Sequence, residues 1–190
     1  MRIQDVVLII KEVHDRLEPL DIPVPVTKIK DDLSRHLAVK FDLFDCGSWA
    51  GKHILGRLQR YEIQGACHAK IIVADSLNTC WTRFVTCKEL AHLYIDKHDE
   101  DFTRDPVELV RSLVDATMTI DKDISSERWA TIAAIELLMP WRKRQTIIEK
   151  INDRKSNRDI ALLYKVPEKV VEIWRSADYQ KPLTEAWNYI

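Results

Sequence analysis

Apolar residues recur every three or four positions in the first part of the chain, which is the spacing of one face of an α-helix. Residues 3–17 carry one such stripe, and residues 26–37 carry a second. The proline-containing stretch 18–26 interrupts the pattern, because proline is poorly tolerated inside a helix. The chain therefore opens with two predicted helices.

From about residue 38 to residue 74 the apolar positions follow strand spacing instead. Segments 38–44, 57–65 and 67–75 alternate or run apolar, and glycines lie between them. Short segments of this kind, bounded by glycine, predict β-strands. A small β-sheet is therefore expected after the first two helices.

Helical spacing returns after the strands. Asn78 is a candidate N-cap for a long helix that runs to about residue 97. The acidic stretch 96–105 is predicted to be a solvated loop, and Pro106 fits the first turn of a helix that reaches about residue 118.

The last third of the chain is also predicted to be helical. The stretch 121–125 is expected to break the preceding helix, and Ser125 or Ser126 to cap the next one. That helix should end before Pro140, because proline disfavours helical backbone in the residue before it. Two short helices are predicted on either side of Val166-Pro167.

Composition narrows the class of protein. The chain has 190 residues, is 46% hydrophobic and 31% charged, and has a net charge of -1. This balance is typical of a globular protein with a proper core, and it gives no overall field that would attract nucleic acid or membrane. The four cysteines form no C-x-x-C pair, and no run of 18 apolar residues occurs, so we expect a reduced, cytoplasmic protein without a membrane span.

The long helix predicted after Asn78 contains a candidate site. It reads Lys88-Glu89-Leu90-Ala91-His92, one residue away from the His-Glu-x-x-His signature of zinc peptidases. In that signature both histidines ligate zinc, and the glutamate activates the metal-bound water. Here the first ligand position holds a lysine, whose ammonium has N–H donors and no lone pair.

Lys88 lies on an otherwise mainly apolar helical face, which also carries His92. Two interpretations remain open for its side chain. Its stem could pack while the ammonium reaches water, or the ammonium could point inward and pair with Glu127 and Glu89. A lysine among apolar neighbours needs an anionic partner. Glu89 could likewise be a surface carboxylate, and His92 an ordinary core histidine.

Glu127 could supply a further ligand from a second helix. Ala130, Thr131 and Ala134 share its face, and such small residues allow a neighbouring helix to approach closely. Glu127 could also be an acidic residue placed near a helix N-terminus by the macrodipole. These two roles are compatible.

Three segments together resemble the ImmA/IrrE-type metallopeptidases of bacteria and their phages. Residues 83–92 (RFVTCKELAH) look like the helix that carries the family's His-Glu-x-x-His. Residues 127–140 (ERWATIAAIELLMP) look like its Glu-x-x-Ala…Leu-Leu-Met-Pro helix, and residues 159–174 (DIALLYKVPEKVVEIW) are similar to the small helical segment that follows.

The resemblance implies an α+β fold with a zincin-like metallopeptidase core, mainly helical with a small β-sheet. It implies a zincin-like domain over residues 1–150 and a helix-turn-helix-like appendage over 151–190, packed on that core. His92 and Glu127 would be candidate zinc ligands, and Glu89 a vestigial general base. Members of the family cleave repressor proteins that control mobile elements or stress genes.

Lys88 departs from the family pattern, and we expect zinc binding to be weak or absent. Cys87 lies about 100° around the helix from Lys88 and is predicted to be a core filler. Other donors could replace the missing ligand only through unknown loop geometry; these are His68, Asp96, His98 and Asp99.

These observations favour a regulatory, peptidase-related protein that binds a partner protein such as a helix-turn-helix transcriptional repressor. An active zinc-dependent endopeptidase that cleaves a repressor is the alternative. A third interpretation is a DNA-binding regulator, since residues 141–158 hold seven Lys or Arg against two acids. However, Glu168 and Glu172 on the candidate recognition helix would repel phosphates, so packing on the core is preferred to nucleic-acid binding.

Overall fold

The computed structural model describes residues 2–46, 55–95, 100–103, 122–143 and 156–190. The described residues form an α+β fold. Its helices, in chain order, are α1 (Ile3–Leu17), α2 (Val26–Leu37), α3 (Thr79–Ile95), α4 (Lys122–Leu138), α5 (Asn157–Tyr164), α6 (Glu168–Arg175) and α7 (Ala177–Tyr189). Its strands are β1 (Lys40–Cys46), β2 (Gly56–Ile63), β3 (Ala66–Ala74) and β4 (Glu100–Thr103).

The first two helices match the stripes that predicted them. α1 buries Val6, Val7, Ile10 and Val13, and α1 packs against α4 and α7. α2 buries its own apolar positions in the same core and contacts α1 and α3. Regular apolar spacing on one face therefore identified both elements and their boundaries.

The sheet has the strand order β1-β3-β2-β4. β1 is parallel to β3, and β2 is antiparallel to both β3 and β4. The three predicted strands are confirmed. β2 and β3 form a hairpin with a two-residue loop, in which Gln64 (φ 52°) and Gly65 (φ 78°) both have left-handed backbone. Such loops match the twist of the flanking strands.

β4 corrects one prediction, because it lies within the acidic stretch 96–105 that was expected to be a loop. It is only four residues long, and it pairs with β2 from Gly56↔Thr103 to Gln59↔Glu100. A short strand at the sheet edge is held by backbone hydrogen bonds, and charged edge residues are common. The sequence pattern therefore carries little trace of it.

α3 lies at the centre of the molecule. It contacts α2, α4, β2, β3 and β4, and every residue from Phe84 to His92 is buried. Its start at Thr79 agrees with the predicted N-cap, since Asn78 Oδ1 accepts a hydrogen bond from the Trp81 N–H at 3.1 Å. The expectation of one apolar face was incomplete, because a helix enclosed by neighbours has no solvated side.

α4 begins at Lys122, earlier than expected. Ser125 and Ser126 therefore lie inside its first turns and do not cap it, and the stretch 122–125 continues the helix where a break was predicted. Aspartate and serine are only weak helix breakers, and tertiary packing overrides such preferences. The predicted end is confirmed, since α4 stops at Leu138, just before Met139-Pro140.

The C-terminal helices share the core of the rest of the chain. α5 and α6 confirm the two predicted short helices, and Ile160, Val170 and Leu183 lie in the same buried cluster as α1, α3 and α4. α7 was not predicted. It contains Pro182, which has no N–H to donate to the carbonyl of Asp178 one turn earlier. Both residues lie on the exposed side of the helix.

Glu136 of α4 attaches α7 to the core. The buried carboxylate of Glu136 accepts hydrogen bonds from Tyr179 Oη at 3.2 Å and from Trp187 Nε1 at 3.3 Å. The proposed boundary near residue 150 stays a prediction, as do the helix expected over 106–118 and most of the basic segment, which lie outside the described residues. None of the described helices combines the length and apolarity needed to cross a membrane.

Candidate functional site

The candidate site lies where α3 and α4 pack together in the core. His92 Nε2 on α3 lies 3.1 Å from Glu127 Oε1 on α4. The sequence analysis proposed His92 and Glu127 as ligands from two separate helices, which a metal site would bring together, and the two side chains do lie in contact. The small residues Ala130 and Ala134 of α4 are fully buried, and they allow the close contact.

Lys88 points into this site. Its side chain is 1% exposed, and its Nζ lies 2.5 Å from Glu127 Oε2, 3.6 Å from Glu89 Oε1 and 3.3 Å from His92 Nε2. The interpretation in which the ammonium reaches water is therefore wrong. The ammonium makes charge-assisted contacts with two carboxylates inside the protein, which is the arrangement that a buried charge requires.

Glu89 and His92 are also interior residues, and both have a relative exposure of 0%. The alternative in which Glu89 is a surface carboxylate is thereby excluded. The burial and the polar partners of His92 also agree with an ordinary core histidine. Glu89, His92 and Glu127 surround the same ammonium. We call these four residues the Lys88 cluster.

The imidazole of His92 is held from several directions. The ring Nδ1 lies 3.4 Å from Ser126 Oγ. The backbone carbonyl of His92 accepts a hydrogen bond from Arg60 Nη2 at 2.8 Å. Nε2 faces both Lys88 and Glu127, and it can accept from the ammonium or donate to the carboxylate, but not both at once. The position of the ring is thus fixed, while its tautomer depends on which of these two contacts is made.

The electrostatics favour an ionised Glu127. Burial raises the pKa of this carboxyl, but the positive charge of Lys88 and the hydrogen bond with His92 lower it, and the net pKa is below its usual value. The carboxylate therefore stays charged inside the core because a cation lies against it. Removing that cation would leave a buried charge without compensation.

Gly56 places β2 directly against the Lys88 cluster. A Cβ at this position would collide with Val85 Cγ1 and lie 3.1 Å from Glu89 Oε1. The close approach of strand and helix thus requires a residue without a side chain. Glycine at this point lets the strand cover Glu89 and exclude water from it.

The described residues do not fit a zinc ion while Lys88 is an ammonium. A protein zinc site takes three or four ligands with lone pairs, and the ammonium has none to give. Among the described ranges no group of three or more His, Cys, Asp or Glu side chains is arranged to hold a metal.

The substitute ligands that the sequence offered can be compared with the structure. Cys87 is completely buried, and burial raises the pKa of its thiol to about 12, so it is a core filler as predicted. His68 stacks on Tyr61 of the neighbouring strand with ring centroids 5.4 Å apart. Asp96, His98 and Asp99 lie outside the described residues.

Sequence reasoning identified Lys88, Glu89, His92 and Glu127 but missed three residues that shape the site. Gly56 was read only as a strand boundary, although a glycine inside a strand often marks a close backbone approach. Ser126 was read as a helix cap. Arg60 gave no signal, since its role depends on the register of β2 against α3.

Comparison with known proteins adds no family. No model of a known protein family matches the chain, and no curated protein shows significant similarity to it.

Proposed function

We propose that this chain is a peptidase-derived regulatory protein of the ImmA/IrrE type, in which the ammonium of Lys88 replaces the metal ion. One observation carries the proposal. Lys88 Nζ lies within 3.6 Å of Glu89, His92 and Glu127, the three residues that the family resemblance assigns to general-base and ligand positions. A monocation at that point neutralises part of the carboxylate charge that a zinc ion would otherwise neutralise.

Further support comes from the architecture around the cluster. A helix with the Glu-x-x-His pair packs on a small sheet, and a second helix with Glu127 crosses it. A zincin-like core would require this combination of elements. The two segments are distant in the chain, and their side chains nevertheless meet at one point, which supports a common site.

Without catalysis, we propose that the protein regulates by binding. The proposed partner is a protein, such as a helix-turn-helix transcriptional repressor, bound where a peptidase of this type would bind its substrate. DNA binding is less well supported, because α6 carries the exposed residues Glu168 and Glu172, and Glu172 pairs with Lys169. Both carboxylates would oppose a phosphate backbone.

The metal-replacement proposal is tested with Lys88→His. Histidine restores a lone pair at position 88, so this variant should bind zinc, and zinc at ~100–1,000 times its dissociation constant should stabilise the fold by roughly 3–4 kcal/mol. Thermal melts with zinc and with chelator measure this gain, and elemental analysis counts the bound metal. Lys169→His, at a partly exposed position on α6, is the matched control and should gain nothing.

Two results would count against the proposal. A Lys88→His variant that folds but takes up no zinc would show that Glu89, His92 and Glu127 are not arranged as a metal site. Stoichiometric zinc in the wild-type protein would show that Lys88 does not replace the metal.

The binding proposal needs a separate measurement. A panel of purified helix-turn-helix repressors can be titrated into the wild-type protein by calorimetry. A complex of about micromolar affinity or better, with the repressor left uncleaved, is expected. Cleavage of the repressor, or no complex with any of them, would contradict it.

A second candidate function is an active zinc-dependent endopeptidase with an unusual ligand set. The convergence of Glu89, His92 and Glu127 on one point favours it, since a general base and two ligands would already be in place. In that case the wild-type protein should lose stability in chelator and cleave a repressor. Glu89→Gln should then abolish cleavage while leaving zinc bound.

A further inference from the structure

The strand β1 forms one edge of the sheet, and it lacks the features that usually protect such an edge. It pairs with β3 without a bulge over all seven of its residues, and it contains no proline. Beyond β1 the sheet has no further strand among the described residues. Natural edge strands are commonly protected by shortness, proline or a bulge, and β4 at the opposite edge is only four residues long. β1 therefore offers backbone donors and acceptors to another strand.

Leu43 shows that this edge is open. It lies in one row across the sheet with Ile71 of β3 and Leu58 of β2, on the face that packs against α3. Ile71 and Leu58 are 0% exposed, whereas Leu43 is 45% exposed. The helical layer thus ends before it covers β1, and an apolar side chain is left uncovered at the edge.

The side chains of β1 complement a second copy of the same strand. Lys40 and Asp42 are exposed, and they lie on the opposite face from Phe41 and Leu43, because side chains alternate along a strand. In an antiparallel pair centred on Phe41, Lys40 of each copy faces Asp42 of the other, and Leu43 faces Val39. Opposite charges and apolar side chains that face each other across two strands stabilise the pair. Every pair in this register is therefore favourable.

The neighbouring registers are less favourable. A pairing centred on Lys40, or one centred on Asp42, places the same charge of the two copies face to face, and such pairs are destabilising. A pairing centred on Leu43 leaves Lys40 and Asp42 without an opposite charge. The charge pattern thus selects the register centred on Phe41.

We propose that β1 pairs antiparallel with β1 of a second copy of this chain, so that the two sheets join into one continuous sheet with two-fold symmetry. A two-fold interface uses the same surface on both copies, which a self-complementary strand provides. Asp42 already accepts a hydrogen bond from Tyr61 Oη at 3.0 Å, and a carboxylate can accept several. Because the paired surface is small, the dissociation constant should be roughly 10–100 μM.

Sedimentation velocity over concentrations that span this constant should show a monomer–dimer equilibrium. Asp42→Lys and Lys40→Asp each place like charges opposite one another, so each should weaken the dimer at least about tenfold. Glu185→Lys, at an exposed position on α7, makes the same change of charge as Asp42→Lys and should leave the equilibrium unchanged. A wild-type protein that stays monomeric, or a control that weakens the dimer as much as Asp42→Lys, would overturn the proposal.

Mixing the two charge variants tests the register. The chain with Asp42→Lys has two cations at its edge and the chain with Lys40→Asp has two anions, so the two chains should associate with each other although neither associates with itself. The double variant Lys40→Asp/Asp42→Lys should dimerise again. Absence of the mixed dimer, or a monomeric double variant, would refute the proposed pairing.

Two further measurements complete the test. Circular dichroism establishes whether the charge variants are folded, and Leu43→Lys, which places a charge opposite Val39, should also prevent dimerisation and serves if one of them is not. Hydrogen exchange should slow in the backbone amides of β1 when the wild-type protein is concentrated. A dimer that leaves exchange in β1 unchanged would be formed by another surface and would contradict the proposal.

Discussion

At the scale of single residues, the burial of Lys88 is the feature that most needs an energetic account. Lysine is almost never fully buried unless it is paired, and here 1% of its side chain is exposed. Desolvation of the ammonium and of two carboxylates costs several kcal/mol, which their mutual attraction offsets only when all the partners are present. The cluster is therefore strongly interdependent.

Lys88→Met tests this interdependence, because methionine keeps most of the stem and removes the charge. The variant should lose roughly 3–5 kcal/mol of unfolding free energy at pH 7, since it leaves buried carboxylates without a cation. Chemical denaturation measures the loss. Lys169→Met removes a partly exposed lysine of α6 that pairs with Glu172, and it should change stability by less than about 1 kcal/mol. Equal effects from the two variants would contradict the buried ion pair.

Gly56→Ala tests the close approach of β2 to the cluster. The added Cβ would collide with Val85 and crowd Glu89, and overpacking of this kind costs roughly 1–3 kcal/mol. Gly65→Asn is the control, because nothing lies within 4 Å of that position and asparagine tolerates left-handed backbone. If Gly56→Ala has the same midpoint of chemical denaturation as the wild-type protein, the strand is not tightly packed at this point.

The sequence identified the charged residues of the cluster because their chemistry is visible in a motif and its helical spacing. It could not identify Gly56 or Arg60, whose roles depend on which strand lies against α3 and in which register. It also left the direction of the Lys88 side chain open. That direction follows from the enclosure of α3 on all sides, which a single helical stripe does not reveal.

At the scale of elements, the contact between α3 and α4 determines the geometry of the site. Three small residues of α4 share the helix face of Glu127, and each is at most 1% exposed: Ala130, Thr131 and Ala134. Their small volume sets how closely the two helices approach, since interiors are packed to high density. The separation of His92 and Glu127 thus depends on residues that carry no charge.

Ala130→Leu should push the two helices apart and cost roughly 1–3 kcal/mol. In a Lys88→His background it should also weaken the zinc affinity of that variant, because the ligands no longer converge. Denaturation and zinc titration measure the two effects. Ala177→Leu adds the same volume at an exposed position in the first turn of α7 and should alter neither quantity. An unaffected Ala130→Leu variant would mean that the helix contact is loose.

The helices with strongly periodic apolar residues were predicted correctly. The elements held by backbone pairing or by tertiary packing were missed. The boundaries of α1 and α2 follow from their apolar stripes. β4 was missed because backbone pairing, and not side-chain pattern, holds it. α7 was missed because Pro182 suggests a break, yet Tyr179, Leu183 and Ala186 are buried, and this packing outweighs the missing backbone hydrogen bond.

At the scale of the whole molecule, stability should depend on pH through a histidine far from the candidate site in sequence. His14 on α1 has a relative exposure of 0%, and burial lowers its pKa from 6.5 to about 4. Above pH 6.5 both folded and unfolded chains hold it neutral. Between pH 6.5 and 4 the unfolded chain binds a proton that the folded chain does not, so stability decreases as pH falls.

The full loss from His14 should be roughly 3 kcal/mol, at about 1.36 kcal/mol for each pKa unit. Glu127 adds a further loss below its ordinary pKa of 4.5, because its folded pKa is lowered. Denaturation curves at several pH values test this, and His14→Leu should remove most of the slope between pH 6.5 and 4. His36→Leu, at an exposed position on α2, should keep it. The same slope in wild type and His14→Leu would refute the assignment.

Lys88 also has a consequence for how this protein can change over generations. Lysine and histidine codons differ at both the first and the third base, so no single nucleotide change converts one into the other. The one-step intermediates are glutamine and asparagine, and each would leave Glu89 and Glu127 inside the core with no cation beside them. On the proposal that Lys88 replaces the metal, a zinc-binding form with histidine at this position would be reached only through unstable intermediates, unless a carboxylate of the cluster is lost first.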